Sequence, residues 1–228
     1  PPEAYFSEER ANHAVDFIQS LKHYSGKFAG QYFMLLPWEL QLVREMFGWM
    51  MPGDIRLYRK VYLEIARKAG KSALAAGVAL YLAYADDEPA AQVFFAAADK
   101  DQSGVCYGAA RIMAEQDPHL GPVSVFYNST KHIKLLENPG AELRCLSADL
   151  KGKYGLNAHG LVADELMAWP NRTLWDALTT AQGARVQPMI FAITTAGWDR
   201  SSVAYEHREY TRQIAEGKVN DPTFLGVV

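Results

Sequence analysis

The chain has 228 residues, 49% of them hydrophobic and 21% charged, a composition that can bury the core of one sizeable α/β domain. A formal net charge of −3 argues against a uniformly basic coat for nucleic acid, although it allows a local basic surface. Cys106 and Cys145 lie far apart without CxxC spacing, which disfavours a disulfide framework or a structural zinc site, and we expect both to pack as small apolar side chains.

Two helical patterns come first in the chain, at residues 7–24, where Ser7 can cap the helix, and at residues 38–51, after Pro37. We predict that they form an N-terminal helical segment, residues 1–55, packed on a core that spans residues 56–228. No apolar run reaches the ~20 residues of a membrane span, and no secretory signal is evident, so we expect a soluble, intracellular protein.

Strands alternate with helices in the predicted core. The pattern predicts strands at 61–65, 92–98, 159–163, 189–193 and 223–228, two or three more within 123–146, helices at 71–85, 101–116, 172–182 and 201–216, and a loop at 147–158. Such alternation indicates an α/β fold in which a mostly parallel central sheet is flanked by helices on both faces. Because the last predicted strand runs to the final residue, we expect the sequence to be part of a longer protein.

The segment between the first core strand and its helix has the form of a phosphate-binding P-loop. An apolar run ends at Ile65, a basic loop follows, and Gly70-Lys71-Ser72 opens an Ala-rich helical pattern. In a P-loop the first N–H groups of the helix face the phosphates, the lysine reaches the β- and γ-phosphates, and the hydroxyl binds Mg²⁺. We therefore predict that Lys71 binds ATP and that Ser72 binds Mg²⁺, with Ile65 in the place of the usual first glycine.

Several cations lie in the same part of the sequence. Their spacing predicts a local basic cluster made of Arg56, Arg59, Lys60, Arg67, Lys68 and Lys71. Such a cluster would attract phosphate groups even in an acidic chain, because the field near a site follows the nearby charges. The alternative, which applies above all to the first three, is a solvated edge beside a strand.

A second signal is the apolar run 161–163, which ends in two adjacent carboxylates, Asp164 and Glu165. In P-loop ATPases this strand end is the Walker B motif, in which the first carboxylate supports the Mg²⁺ shell and the second polarises the attacking water. The alternative is a strand that ends at a polar helix start, and the presence of both motifs favours the catalytic interpretation. A third run, 189–193, ends in Thr194 and Thr195, which either sense the γ-phosphate or cap the strand.

Together these segments resemble the ATPase domain of the tailed-phage terminase large subunit, in its HK97-like branch. The likeness rests on Ala66-Arg67-Lys68-Ala69-Gly70-Lys71-Ser72, Val162-Ala163-Asp164-Glu165 and Ile193-Thr194-Thr195-Ala196-Gly197, and it extends to Leu35-Leu36-Pro37-Trp38-Glu39 and to residues 155–160. The resemblance implies a P-loop NTPase fold of the additional-strand, catalytic-glutamate class, with a RecA-like sheet.

The resemblance also implies roles for individual residues. Glu165 would act on the water, while Lys71 and Arg67 would neutralise charge on the transferred phosphate; Arg67 can also be a plain surface cation. Ser72 and Asp164 would hold Mg²⁺. The ATP contacts would come from Ala66, Lys68, Ala69, Gly70, Lys71, Ser72, Trp38, Gln41, Thr194 and Thr195.

Two of these implications stay open at the level of sequence. Glu39 stands where the family usually has glutamine, so the adenine contact is undecided between Glu39 and Gln41, and Trp38 can simply be core. Rings of this family also use an arginine from the neighbouring subunit. The candidates are Arg111, Arg144, Arg172 and Arg185, each of which can equally be a surface or salt-bridge residue.

The implied function is a Mg²⁺-dependent ATPase motor that drives double-stranded DNA into a procapsid. The implied partners are the portal protein, the small terminase subunit and further copies of the chain in a ring. We expect the protein in the host cell cytoplasm and transiently on the procapsid portal, with nuclease activity in a C-terminal domain outside this sequence. Two alternatives stay open: a helicase-like translocase, and a P-loop assembly module that does not hydrolyse nucleotide.

Overall fold

A computed structural model describes residues 1, 3–98, 100–146, 156–182 and 185–228. The strands are β1 (Tyr5–Phe6), β2 (Trp49–Met51), β3 (Ile55–Arg56), β4 (Lys60–Glu64), β5 (Gln92–Ala96), β6 (Ser124–Tyr127), β7 (His132–Leu135), β8 (Glu142–Cys145), β9 (Gly160–Asp164), β10 (Met189–Thr194) and β11 (Phe224–Val227). The α-helices are α1 (Glu8–Ser20), α2 (Pro37–Gly48), α3 (Lys71–Tyr84), α4 (Lys100–Gln116), α5 (Thr173–Thr179) and α6 (Val203–Ala215). Short 3₁₀ turns lie at Gly26–Phe28, Leu166–Ala168 and Thr180–Gln182. None of the helices described is both long and apolar enough to cross a membrane.

The main sheet has eight strands in the order β11-β4-β10-β9-β5-β8-β7-β6. The first six are parallel to one another, and β7 and β6 are added antiparallel at one edge. The predicted α/β fold with a mostly parallel sheet is confirmed. β10 pairs with both β4 and β9, so one additional strand separates the P-loop strand from the strand that ends in the two carboxylates. The carboxyl ends of all three strands meet at one edge of the sheet.

Alternate residues of the central strands face two different cores. On β4, Val61 and Leu63 pack in the cluster that includes α1, α2, α3 and α4, whereas Tyr62 packs in the cluster of α5 and α6. α3 is buried on nearly every side, because it lies between the sheet and the N-terminal helices. Its Gly77 permits close approach, since a Cβ there would come 3.1 Å from Ile18. Helices therefore cover both faces of the sheet, as predicted.

Both N-terminal helices end earlier than the sequence predicts. α1 ends at Ser20, and Leu21 already has extended backbone. α2 ends at Gly48, and residues 49–51, predicted as helix, form β2 between β1 and β3. Gly48 makes this turn possible, because a Cβ there would lie 2.5 Å from the ring of Phe6, which belongs to the pairing strand. The pairing of β2 in this small sheet therefore overrides the helical pattern of residues 49–51.

The division into residues 1–55 and 56–228 stays a prediction. Side chains of α1 and α2 share one hydrophobic cluster with α3 and the sheet. The boundary would also fall inside β3. The predicted loop at 147–158 lies outside the described residues as far as residue 155.

The prediction of one basic cluster is wrong. Lys60 begins β4, whereas Arg67 and Lys68 follow the opposite end of that strand, and five strand residues span about 17 Å. Arg56 is buried and donates to both carboxylate oxygens of Asp86 at 2.9–3.1 Å. The cations that stay at the P-loop are therefore those at positions 67, 68 and 71.

Candidate nucleotide-binding site

The loop between β4 and α3 turns sharply at two residues. Gly70, directly before α3, has a φ of +83°, and Lys68 has a φ of +64°. The carbonyl of Gly70 accepts the N–H groups of Ala73 and Leu74 at 3.1 and 3.2 Å, which starts the helix. Left-handed backbone is costly at a residue with a Cβ such as Lys68, and such strain is concentrated at ligand sites. The first turn of α3 thus presents its N–H groups at the loop, an arrangement that binds anions.

A contact of Lys71 joins the P-loop to the end of β9. Ala66, Arg67 and Lys68 are exposed and Ala69 is half-buried, but the Lys71 side chain is only 9% exposed. Its Nζ lies 3.1 Å from Oε1 of Glu165, a residue 94 positions later in the chain. The structure therefore brings together the first two motifs found in the sequence.

Glu165 has an unusual backbone directly after the last residue of β9. Its φ is +48°, in the left-handed region that favours glycine. Its side chain is 32% exposed, so one side of the carboxylate meets Lys71 while solvent reaches the group. A carboxylate in this position can accept a proton from a water molecule.

Asp164 is nearly buried, and each of its carboxylate oxygens accepts one hydrogen bond. Oδ1 accepts the N–H of Glu165 at 2.9 Å, and Oδ2 accepts the thiol of Cys106 at 3.1 Å. Burial raises the pKa of Asp164, and the hydrogen bond from Cys106 partly offsets this effect. The half-buried Ser72 side chain also lies within reach of the Cys106 thiol. The Cys106 thiol therefore donates to Asp164 and interacts with Ser72.

The oxygen atoms at this point suit Mg²⁺. Mg²⁺ prefers oxygen ligands, and sites that bind nucleotide use one or two protein side chains together with phosphates and waters. The Ser72 hydroxyl and the Asp164 carboxylate supply that small set. Within the described ranges no group of three or more His, Cys, Asp or Glu side chains could hold a metal by itself. The donor set therefore fits a cation that arrives with a nucleotide.

The family model described as "Terminase large subunit, ATPase domain" matches residues 37–213. The chain belongs to this family. The terminase large subunit of Enterobacteria phage HK97 is 30% identical over 174 residues, which make up 75% of this chain and 33% of that protein. The resemblance drawn from the sequence motifs is confirmed. The chain spans about a third of the length of its HK97 relative.

Solved terminase structures have the same fold. The crystal structure of the HK97 bacteriophage large terminase superposes with a TM-score of 0.79 at 24% identity, over 96% of this chain and 43% of that one. The large terminase ATPase domain of Thermus phage P74-26 superposes with a TM-score of 0.52 at 20% identity, over 64% of this chain and 62% of that one. Both likenesses support the P-loop fold assigned to this terminase domain.

The two threonines at the end of β10 contact the turn that follows Glu165. Oγ1 of Thr194 accepts the N–H of Met167 at 3.0 Å and donates to the carbonyl of Thr195 at 3.2 Å. The Thr195 hydroxyl donates to the Met167 sulfur at 3.0 Å. The third motif thus joins the other two at the same edge, and a direct contact of either threonine with phosphate stays a prediction.

Of the residues considered for an adenine contact, Glu39 is brought to the P-loop by the structure. Trp38 is half-buried against the hydrophobic core, and Gln41 is exposed on α2. Glu39 is 2% exposed; its Oε2 accepts the N–H of Leu36 at 2.8 Å, and its Oε1 lies 3.4 Å from where a Cβ on Gly70 would be. Burial raises the pKa of Glu39, and the hydrogen bond from Leu36 opposes that shift. Nucleotide contacts by Trp38 and Gln41 stay predictions.

The four arginine candidates for a neighbour's site all have partners in their own chain. Arg111 donates to Glu115 at 2.5–2.6 Å, Arg144 lies 3.3 Å from Glu142 and over the ring of Phe94, and Arg172 pairs with Asp176 and Glu206. Arg185 is 9% exposed and donates to Glu88 and to the carbonyls of Asn157, Pro89 and Ala90. Arg185 is therefore held at the amino ends of the strands, far from the P-loop edge.

Sequence reasoning missed one residue of the site, Cys106, and left the role of another, Glu39, open. Cys106 was expected to be only a small apolar side chain, but its thiol is a hydrogen-bond donor to Asp164. A lone cysteine in a helical pattern carries no signal of such a contact. Glu39 did carry a sequence signal, because a glutamate at the third position of a helix that begins with proline can cap that helix.

Proposed function

We propose that this terminase domain hydrolyses ATP at the carboxyl edge of its sheet and acts as the motor of DNA packaging. The observation that carries the proposal is the 3.1 Å contact between Lys71 Nζ and Glu165 Oε1. This contact places the lysine of the P-loop beside the partly exposed carboxylate of Glu165, a residue with left-handed backbone. The two groups are the ones that phosphoryl transfer to water requires on either side of the γ-phosphate.

Binding of a triphosphate would rearrange this ion pair. The ammonium group of Lys71 and the first N–H groups of α3 would bind the phosphate oxygens, as in other P-loops. Glu165 would then be released from its lysine partner and become free to orient a water molecule and accept its proton. The water oxygen forms the new bond to the γ-phosphorus as the bond to the β–γ bridging oxygen breaks, and ADP and phosphate leave.

Ser72 and Asp164 would hold Mg²⁺ in this site, and Arg67 would stand at its exposed side. When bound, Mg²⁺ would neutralise part of the negative charge that develops on the phosphates. Arg67 is exposed in the loop, so it can reach a bound phosphate without leaving a buried partner. Its role in neutralising the transferred group is part of the proposal.

Glu165→Gln tests the chemical step. The amide cannot accept a proton from water, so turnover should fall by about 10²–10⁴-fold while MgATP affinity stays within a few-fold of wild type. Glu137→Gln makes the same change on an exposed side chain and should leave turnover unaltered. Near-normal hydrolysis by the Glu165 variant would remove Glu165 from the mechanism.

The wider role is that of the motor half of a packaging terminase. Its substrate would be double-stranded DNA, and its partners the portal protein, the small terminase subunit and further copies of itself in a ring. It would work in the host cell cytoplasm and, during packaging, on the procapsid portal. Nuclease activity would belong to another part of a full-length subunit.

Two experiments separate this role from its rivals. ATPase stimulation by procapsids that carry portal, without strand separation of a forked DNA, supports packaging; strand separation would favour a helicase-like translocase. Calorimetric titration with Mg²⁺ and a non-hydrolysable ATP analogue tests the inert assembly module. An absence of heat at millimolar ligand would favour that module and contradict the proposal.

A further inference from the structure

The Cys106 thiol lies between the two side chains that the proposed function assigns to Mg²⁺. Cys106 is on α4 and is fully buried. Its Sγ donates to Oδ2 of Asp164 at 3.1 Å. The half-buried Ser72, in the first turn of α3, also interacts with this thiol through its hydroxyl. One thiol thus donates to a residue at the end of β9 and interacts with a residue of the P-loop.

The direction of these two hydrogen bonds follows from the state of the thiol. The Sγ of Cys106 is the donor to Oδ2 of Asp164, so the single hydrogen of the thiol points toward that carboxylate. A thiol has one hydrogen to donate and sulfur lone pairs that accept. Because that hydrogen goes to Asp164, the Ser72 hydroxyl must approach the sulfur as a donor.

This arrangement leaves the oxygen atoms ready for a cation. A hydroxyl that binds a metal offers an oxygen lone pair and must direct its hydrogen to another acceptor, and the Cys106 sulfur would serve as that acceptor. The carboxylate of Asp164 is fixed by two donors, the thiol on Oδ2 and the N–H of Glu165 on Oδ1. Hydrogen bonds of this kind orient metal ligands, and their loss typically lowers metal affinity by about 10–100-fold.

We propose that Cys106 is a positioning residue that orients Ser72 and Asp164 toward one divalent cation. It touches neither phosphate nor the attacking water. The inference rests on the proposed function, since it gives the same site a third residue that sets its affinity for metal. It also predicts that loss of the sulfur weakens metal binding without weakening the binding of nucleotide alone.

The test uses three substitutions of Cys106 and one of the other cysteine. Cys106→Ala removes the thiol, Cys106→Val fills its space without a hydrogen bond, and Cys106→Ser keeps both a donor and an acceptor. Cys145→Ala is the control, because that half-buried thiol donates to the backbone carbonyl of Ser103, one turn before Cys106 on α4. The probes are Mn²⁺ binding in the presence of ADP, followed by electron paramagnetic resonance, and ADP binding in the presence of EDTA, followed by calorimetry.

The Ala and Val variants should weaken Mn²⁺ binding about tenfold and leave metal-free ADP affinity within twofold of wild type. They should also need about tenfold more Mg²⁺ for half-maximal ATPase, with kcat at saturating Mg²⁺ near that of wild type. Cys106→Ser should retain most of the metal affinity, and Cys145→Ala all of it. If Cys106→Ala does not fold, the Val variant provides the same comparison.

Three results would overturn the inference: unchanged Mn²⁺ affinity in the Ala and Val variants, an equal loss of metal-free ADP affinity, or a Ser variant as weak as the Val variant. In each case wild-type binding of ADP and Mn²⁺ would leave the proposed function standing. A wild-type protein that binds neither ADP nor Mn²⁺ would contradict the proposed function itself, and the inference with it.

Discussion

The two ends of the parallel strands both carry buried charges, but these charges are arranged differently. At the carboxyl end, Lys71 meets a partly exposed Glu165, and the neighbouring cations of the P-loop extend into solvent. At the amino end, Arg56, Asp86, Glu88, His159 and Arg185 form a closed network. A set of charges that is open on one side can bind a ligand, whereas a closed set holds segments of the chain together.

The closed network joins four segments that are distant in sequence. Asp86, just past α3, accepts three hydrogen bonds from Arg56 and lies 2.6 Å from Nε2 of His159, which directly precedes β9. Glu88 pairs with Arg185 at 2.6 Å, ahead of β10. The exposed fractions of these side chains are at most 13%, so their pairing is not screened by water. The network therefore fixes the strand starts, while the strand ends stay free to bind.

The largest effect is expected at the closed end. Asp86→Ala leaves the buried guanidinium of Arg56 without its carboxylate, and breaking a buried pair in this way typically costs about 3–5 kcal/mol of unfolding free energy. Urea denaturation measures the loss. MgATP affinity of the folded variant, measured at low temperature, should stay within twofold of wild type because the P-loop lies at the other end of the strands.

Asp86 also makes the stability of the fold depend on pH. Burial alone would raise the pKa of Asp86, but Arg56 and His159 lower it below the usual value. A carboxyl with a lowered pKa in the folded state stabilises the fold above its unfolded pKa, and this contribution is lost as the pH falls through the folded pKa. Asp86→Asn should therefore lose stability at neutral pH and show a shallower decline below pH ~4 than wild type. An equally steep acid decline in the variant would contradict this assignment.

The second effect is expected at the open end. Lys71→Ala removes a charge-assisted hydrogen bond to the phosphates, worth up to about 3 kcal/mol, so MgATP affinity should fall by about 100-fold. Lys71→Ala should lower the free energy of unfolding by less than ~1 kcal/mol, because Glu165 is partly exposed and water can take the place of the lysine. Calorimetry and urea denaturation give the two numbers, and Lys134→Ala, an exposed lysine on β7, is the control. A large loss of stability with intact binding would reverse the roles of the two ends.

The candidate site at the carboxyl ends of the strands was predictable from sequence because its residues lie in short local motifs. Gly70-Lys71-Ser72 and the Asp164–Glu165 pair each follow an apolar strand, and parallel strands bring their carboxyl ends to one edge. The amino end has no such motif: Asp86 and His159 are separated by 73 residues, and single charged residues carry no sign of their partners. For the same reason the thiol of Cys106 went unrecognised as a partner of Asp164.

A different kind of error affected residues 49–51. Their apolar pattern continues that of α2, and only the tertiary contact of Gly48 with Phe6 ends the helix and allows β2 to pair with β1. Such long-range packing overrides local propensity and is invisible in a single sequence. The central strands β9 and β10 escaped this problem because every residue in them is buried, which gives a strong apolar pattern.

A smaller effect is expected at Glu39, a buried carboxyl at the open end. Its pKa is raised by burial, so its favourable contribution to stability is present below the unfolded pKa and is lost as the pH rises through the folded pKa. Glu39→Gln keeps an acceptor for the N–H of Leu36 and removes the charge. It should stabilise the fold at pH 8 by about 0.5–2 kcal/mol and have little effect at pH 4.

The same substitution should also strengthen nucleotide binding, because a negative charge beside Gly70 repels the phosphates. We expect a Kd for MgATP that is a few-fold lower at pH 8, measured by calorimetry. Glu137→Gln removes an exposed charge and should change neither stability nor affinity by a measurable amount. Weaker MgATP binding by Glu39→Gln would mean that the carboxylate itself contacts the nucleotide.

The smallest effect is expected for Arg111, which lies on the outer face of α4 away from both ends. Its pairing with Glu115, four residues on, is solvent-exposed, so Arg111→Ala should cost at most about 0.5 kcal/mol. ATPase activity of the isolated chain should be unchanged. If the activity then falls only after portal-bearing procapsids are added, the guanidinium acts in the assembled complex, on a neighbouring copy or on the portal. Loss of activity in the isolated chain would instead mean that α4 transmits its position to Cys106 and Asp164.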